Sequence, residues 1–326
     1  MKLHEDEKLF SEAVVAAAQS IGIQEIFIEK DYWATLALHT IFHSDLADQA
    51  VFKGGTALSK CYNLIQRFSE DIDIVVIHKE EETSNQLRNK IRRISKVVGN
   101  VLPEEEIEGI TDKVGIIRKT AHSYPKSFKG NFGQVKEHII VEATWLGNTE
   151  PNNKMNLDSY LSRMMKEKNQ DKIIHKYNLQ PFAIQVLHKT RTLCEKIMSL
   201  VRFSRQREDP YGTLANKIRH IYDIHMMLKD DEVKAFFAGK EFPTMLNKVG
   251  KDDVIGYKND NQWLRDHPAL ALIFAKSGYT WNKLRTTYNT TFKDLVIGEL
   301  PDEADVIDTL KVIEERLGGM DWNVKL

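Results

Sequence analysis

Phe52-Lys53-Gly54-Gly55-Thr56-Ala57-Leu58-Ser59-Lys60, followed by Arg67-Phe68-Ser69-Glu70-Asp71-Ile72-Asp73-Ile74-Val75-Val76-Ile77, is the stretch whose reading decides the fold. The apolar pair Val51-Phe52 leads into two glycines, and Ala57 to Ile65 reads as a helix. Asp71 to Ile77 is β-rich and has an apolar end, the composition of a buried strand. Two glycines between a strand and a helix let backbone approach a polyphosphate closely, and the first turn of the helix offers N–H groups. Thr56 or Ser59 supplies a hydroxyl there. Lys53 precedes the glycines instead of following them, so the run is not a Walker A loop.

Outward from this run, residues 5–45 read as two helices broken near Gly22, and residues 83–98 as a basic amphipathic helix. Ile116-Ile117 and 138–145 look like further strands, with a polar loop from Pro125 to Gly133 between them. Residues 148–156, rich in Asn and containing Pro151, form the best linker candidate. Beyond it the chain is helical, with clear helices at 190–203 and 213–228, except for a strand-like Phe182 to Leu187. The expectation is an α+β protein: residues 1–150 a small mixed-sheet domain with N-terminal helices, and 151–326 a mainly helical domain. The aromatic residues of 232–292 are expected in its core.

Asp71 and Asp73 lie two apart on a predicted strand, so their carboxylates project from one face. Adjacent carboxylates repel unless a cation lies between them, which makes Mg²⁺ the natural third party. Two ions about 3.5–4 Å apart suit in-line displacement at phosphorus. Glu142, an acid in an otherwise apolar strand, is the candidate third ligand and a candidate base for an attacking hydroxyl. A lone Gly-Gly or a lone Asp-x-Asp is commonly only a turn or a solvated strand end. The order strand, Gly-Gly, helix, Asp-x-Asp strand, acidic strand is far more specific. His39 and His43, at i,i+4, lack a third metal ligand and are read as packing.

Length and composition set the outer bounds. The chain has 326 residues, 42% hydrophobic and 29% charged, with a formal net charge of −1. Disordered and coiled-coil classes are excluded, as is nucleic-acid binding by bulk charge. The charges are nonetheless sorted. Residues 186–220 hold eight Lys or Arg against three acids, residues 113–138 six against one, and residues 299–326 three against eight. A phosphate-contacting groove needs only a local excess of this kind. Cys61 and Cys194 form no CxxC and read as free thiols in a reducing cytoplasm. The acidic N-terminus lacks a signal-peptide core, and no run approaches a membrane span, so a soluble cytoplasmic protein is expected.

The strand and glycine pattern resembles the nucleotidyltransferase superfamily that includes polymerase beta and the CCA-adding enzymes. The wording of residues 52–60 and 67–73 is similar to the AbiEii/AbiGii-type toxin nucleotidyltransferases, and Glu29-Lys30-Asp31-Tyr32-Trp33 matches the pattern preceding their glycine loop. Glu195-Lys196 looks like the family's third motif, and Arg219-His220 with Tyr222-Asp223 like its fourth, with His220 where many members have Asp. The resemblance spans roughly residues 25–230. It implies a toxin of a type IV toxin–antitoxin or abortive-infection pair that transfers a nucleotide from an NTP, in some relatives to a tRNA 3′ end. A cognate antitoxin is the implied protein partner. It makes Asp71 and Asp73 metal ligands. Gly54, Gly55 and Thr56, with Lys53 and Ser69, become the nucleotide loop, Lys196 a triphosphate contact, and Asp223 a catalytic or supporting carboxylate. Without it, a snorkelling surface Lys196 and a helical Arg219–Asp223 pair are equally good readings. Two rivals keep the same residues: transfer to a protein hydroxyl, and nucleotide binding without transfer.

Overall fold

The computed structural model describes residues 1–113, 115–130, 135–206, 208–258 and 260–326. The protein is α+β, with two compact units. The first comprises Met1–Asn63, Arg67–Trp145 and Asn152–Leu187, and the second Leu64–Gln66, Leu146–Pro151 and His188–Leu326.

In the first unit, α1 (Glu7–Ile21) and α2 (Glu25–Phe42) pair. The Asp6 carboxylate accepts from the Leu9 N–H at the start of α1, and Gly22 ends it at φ +81°. There follow β1 (Ala50–Lys53), α3 (Gly54–Lys60), β2 (Ile72–Val76), α4 (Ser84–Gly99), β3 (Glu104–Glu105), β4 (Ile117–His122) and β5 (Ile139–Thr144). The unit closes with β6 (Asn152–Leu157), α5 (Tyr160–Glu167), α6 (Asp171–Lys176) and β7 (Phe182–Leu187). A seven-stranded mixed sheet runs in the order β3-β4-β5-β2-β1-β7-β6. The β2–β5 and β1–β7 pairs are parallel and the others antiparallel.

The two sheet faces differ sharply. Ala50, Phe52, Ile72, Ile74, Val76, Val141 and Ala143 turn into the main core, where they meet the apolar sides of α1, α2, α4 and α5. On the other face Val51, Val75 and Leu187, with Ile77 packed against them, form a small buried apolar cluster. Strand alternation therefore leaves that face for polar side chains where β1, β2 and β5 continue past the cluster. β2 is buried on both faces, as its composition suggests, with Ile72, Ile74 and Val76 on one side and Val75 on the other, and is half-buried at Asp73.

The second unit holds α7 (Lys189–Phe203), α8 (Pro210–Asn216), α9 (Ile218–Met227), α10 (Asp231–Ala238), α11 (Glu241–Gly256), α12 (Leu272–Ala275), α13 (Ser277–Thr287) and α14 (Glu303–Gly318). Phe237, Trp263, Phe274, Trp281, Tyr288 and Phe292 are buried as expected, while Tyr279 is 57% exposed.

Several local expectations are corrected. The linker candidate 148–156 runs into β6, because residues 152–157 pair along all of β7. The sheet thereby keeps 152–187 in the first unit, while Leu146–Pro151 group with His188–Leu326 in the second. The helix after the glycines stops at Lys60, and the one expected over 213–228 breaks at Lys217 between α8 and α9. Gly133, the expected end of the polar loop, lies outside the described residues. No helix among the described residues is long and apolar enough to cross a membrane.

Candidate active site

Four charged residues stand in register across four neighbouring strands. Lys53 of β1 opposes Asp73 of β2, Asp73 opposes Glu142 of β5, and Glu142 opposes Lys119 of β4. Residues directly opposite share a face, so the row reads plus, minus, minus, plus on the face away from the main core. Asp71 lies two residues before Asp73, immediately ahead of β2. All five residues are half-buried. Glu142 Oε2 lies 3.6 Å from Lys119 Nζ.

The glycines are required by what surrounds them. Gly54 has φ +82°, and a Cβ there would collide with the Asp73 carboxylate. A Cβ on Gly55 would stand 2.6 Å from Arg67 Nη2 and 3.1 Å from Ser69 Oγ. The bare loop thus lets backbone lie directly against one carboxylate of the dyad. Thr56 Oγ1 and Ser69 Oγ are 3.0 Å apart, which joins the start of α3 to the segment leading into β2. Arg67 is buried and donates to the Phe68 carbonyl at 3.0 Å.

The upstream run Glu29-Lys30-Asp31 places three consecutive charged side chains inside the protein, each tied to a different segment. Glu29 accepts from the N–H groups of Ser127 at 2.7 Å and Phe128 at 3.3 Å, and burial pushes its carboxyl pKa up. Lys30 donates to the carbonyls of Lys136 and His138, which lead into β5. Burial lowers its pKa to about 8, against the opposing pull of Glu70 and Asp71. Asp31 pairs with Lys60 at 2.5 Å at the end of α3 and accepts from the Tyr160 N–H at 2.8 Å. The motif is therefore a brace that holds the glycine helix and the acidic strand to α2. Lys60 extends it by donating to the Asp158 carbonyl at 3.1 Å.

In the second unit, Lys196 of α7 and Asp223 of α9 form a buried pair at 2.7 Å. Lys196 is not a snorkelling surface residue, and the partner of Asp223 is Lys196 from another helix. Packing between α7 and α9 brings the two short motifs together. Beside them Arg191, also buried, bridges Glu195 at 3.1 Å and Asp252 at 2.6 Å.

The local positive excesses are largely consumed by internal pairing. Of the basic residues in 186–220, Lys189 meets Asp230 and Glu232, Arg191 meets Glu195 and Asp252, Lys196 meets Asp223, and Arg205 meets Asp266. Arg207 lies outside the described residues. In 113–138, Lys113, Arg118, Lys119 and Lys126 all have carboxylate partners. Among the described residues Arg202, Arg219, Lys129 and Lys136 have none.

His39 and His43 stack with centroids 3.8 Å apart, His39 half-buried against Phe182 and His43 exposed, and burial lowers the His39 pKa to about 4. Cys61 and Cys194 are free thiols whose pKa values burial raises. Among the described residues no three His, Cys, Asp or Glu side chains gather closely enough to cage a metal. The Asp71–Asp73 pair, with Glu142 abreast, offers only hard oxygen donors. That set fits a hard cation held by one or two carboxylates, whose other positions go to phosphate and water oxygens. Sequence reasoning does not reach Lys119, since its place depends on the pairing of β4 with β5, nor the partners of Asp31 and Lys60.

The family model described as nucleotidyl transferase AbiEii toxin, type IV toxin–antitoxin system, matches residues 36–308. Among solved structures, MenT4, a nucleotidyltransferase toxin from Mycobacterium tuberculosis H37Rv, is similar at 17% identity and a TM-score of 0.46, over 92% of this chain and 98% of that one. A comparison with curated protein sequences finds no match. With the family model covering most of its length, the chain belongs to the AbiEii nucleotidyltransferase toxins of type IV toxin–antitoxin systems and is a nucleotidyltransferase.

Proposed function

We propose that the chain transfers a nucleotide from an NTP to the 3′ end of an RNA, a tRNA being the acceptor, with release of pyrophosphate. The observation that carries this reading is the registered row of charges on the sheet face away from the main core. Asp73 stands abreast of Glu142, Asp71 lies two residues before Asp73, and Gly54 lies against the Asp73 carboxylate. Such a row serves displacement at phosphorus, where positioning and charge neutralisation supply most of the rate.

In this reading Asp71 and Asp73 hold Mg²⁺, two ions in all, and Glu142 is the third carboxylate. Held by these carboxylates, a divalent ion would supply neutralising charge for the triphosphate and Lewis acidity at the phosphoryl centre. Lys53, Gly54, Gly55, Thr56 and Ser69 receive the nucleotide. Glu142 also stands as acceptor for the proton of the attacking hydroxyl. Lys196 contacts the triphosphate and Asp223 supports it. The RNA acceptor rests on the family resemblance more than on charge, because most of the basic residues are already paired. In a cytoplasmic setting this activity blocks translation or phage growth until a cognate antitoxin opposes it.

Total RNA incubated with each α-³²P-labelled NTP in turn tests the reading. Label is expected on RNA with one nucleotide, lost on RNase treatment. Asp71→Asn and Asp73→Asn proteins are expected to lose it by at least a hundredfold, the scale for removing charge stabilisation and alignment together. Unchanged transfer in both variants overturns the metal assignment, and RNase-resistant label on a protein band overturns the acceptor.

A further inference from the structure

The residue left unexplained by the site is Lys119. It closes the row of four charges and its ammonium lies 3.6 Å from Glu142 Oε2, with both side chains 37% exposed. An exposed cross-strand ion pair is ordinarily worth little to stability. The place of this one is unusual: its carboxylate is the neighbour, in register, of Asp73, and Asp71 lies two residues before Asp73. Adjacent carboxylates on one sheet face repel, and the row supplies a fixed cation at each end, Lys53 beside Asp73 and Lys119 beside Glu142.

We propose that Lys119 is a positioning residue that acts through Glu142. It holds the Glu142 carboxylate turned to the β4 side, and competes with a divalent cation for it. The proposal rests on the metal role given above to Asp71, Asp73 and Glu142. It adds that the chain carries its own counter-ion for the third carboxylate, which sets the divalent-ion concentration at which the site fills. The geometry gives the sign: a fixed positive charge one strand spacing beyond Glu142 opposes a dication at the row. At a separation of about 7 Å, in solvent-like surroundings and with salt screening, this repulsion accounts for roughly two- to threefold in dication binding, and release of Glu142 from its ion pair brings the total to roughly three- to tenfold.

The test is Mn²⁺ binding to the full chain, followed by calorimetry and by the free-ion electron paramagnetic resonance signal. An α,β-methylene NTP is present so that no turnover occurs. Lys119→Met is expected to bind Mn²⁺ roughly three- to tenfold more tightly than the wild type, and Lys119→Arg like the wild type. In a Glu142→Gln background the Lys119→Met change is expected to shrink to the roughly two- to threefold of the through-space repulsion alone. Circular dichroism melts confirm that each variant is folded, and a merely structural ion pair has no reason to tighten metal binding when broken. Wild-type binding of Mn²⁺ with an unchanged or weaker Lys119→Met value overturns the role of Lys119 and leaves the metal reading standing. Absence of Mn²⁺ binding to the wild type overturns both. Should Lys119→Met unfold, Lys119→Gln, which keeps a polar side chain on β4, carries the same expectation.

Discussion

Gly54→Ala separates backbone strain from site geometry, because Gly22 provides a matched control. Gly54 has φ +82° and Gly22 φ +81°, so an alanine at either position meets the same left-handed penalty of about 1–2 kcal/mol. Their surroundings differ. A Cβ on Gly22 has nothing within 4 Å, whereas one on Gly54 runs into Asp73 Oδ2, with Asp73 Cγ at 3.2 Å and Cβ at 3.5 Å. The clash is with the outer end of a short side chain on a half-buried face, and rotating the carboxylate relieves it at little cost in stability. That rotation moves the carboxylate by about an ångström, on the scale that costs roughly a hundredfold in rate. Urea denaturation is therefore expected to place both variants about 1–2 kcal/mol below the wild type, within a few tenths of each other. Transfer of α-³²P nucleotide is expected to fall about a hundredfold in Gly54→Ala and to stay near wild type in Gly22→Ala. Wild-type transfer by Gly54→Ala refutes the reasoning, for it shows that the approach of Gly54 to Asp73 does not matter. Equal loss in both variants refutes it too, since strain alone then explains the effect.

Two further expectations concern buried charge. Lys196→Met or Asp223→Asn alone breaks the buried pair, and each is expected to cost about 3–5 kcal/mol in urea melts. A Lys196→Met/Asp223→Leu double variant is expected to recover most of that stability without recovering nucleotide transfer, so recovery of both shows the pair to be purely structural. The acid limb of stability is expected to depend on His39 and His225, whose pKa values burial lowers to about 4 in each case. The unfolded chain binds their protons near pH 6.5 and the folded chain does not, so their share of stability is full above 6.5 and is lost as pH falls toward 4. His39→Phe and His225→Phe proteins melted across that window are expected to lose less stability on acidification than the wild type. An unchanged acid limb in both contradicts the assignment.

Much of the molecule was legible residue by residue, because the signals involved are local. Two glycines after an apolar pair mark a tight strand-to-helix turn. Period-two spacing turns Asp73 away from the core that Ile72 and Ile74 face. The helices α1, α2, α4 and α7 follow from apolar spacing and from caps such as Asp6 and the Thr83–Gln86 box. Such features depend on the dihedral preferences and hydrogen bonds of a few neighbouring residues.

What only the tertiary structure decided depends on which distant segments pair, and one slip of register reverses every side chain in a strand. Glu142 is abreast of Asp73 because β5 lies parallel to β2 across a long connection. Lys119 reaches Glu142 because β4 pairs with β5. Residues 152–157, mostly within the linker candidate 148–156, pair with the strand-like 182–187 to complete the sheet. Local charge sums also misled, since the excess over 186–220 is answered by acids such as Asp223, Asp230, Asp252 and Asp266. The sequence by itself determined the glycine turn and the paired carboxylates, which are properties of adjacent residues. The fold decided which third acid, which counter-ion and which buried partner each charge would meet, because pairing energies act only between groups that packing has already brought together.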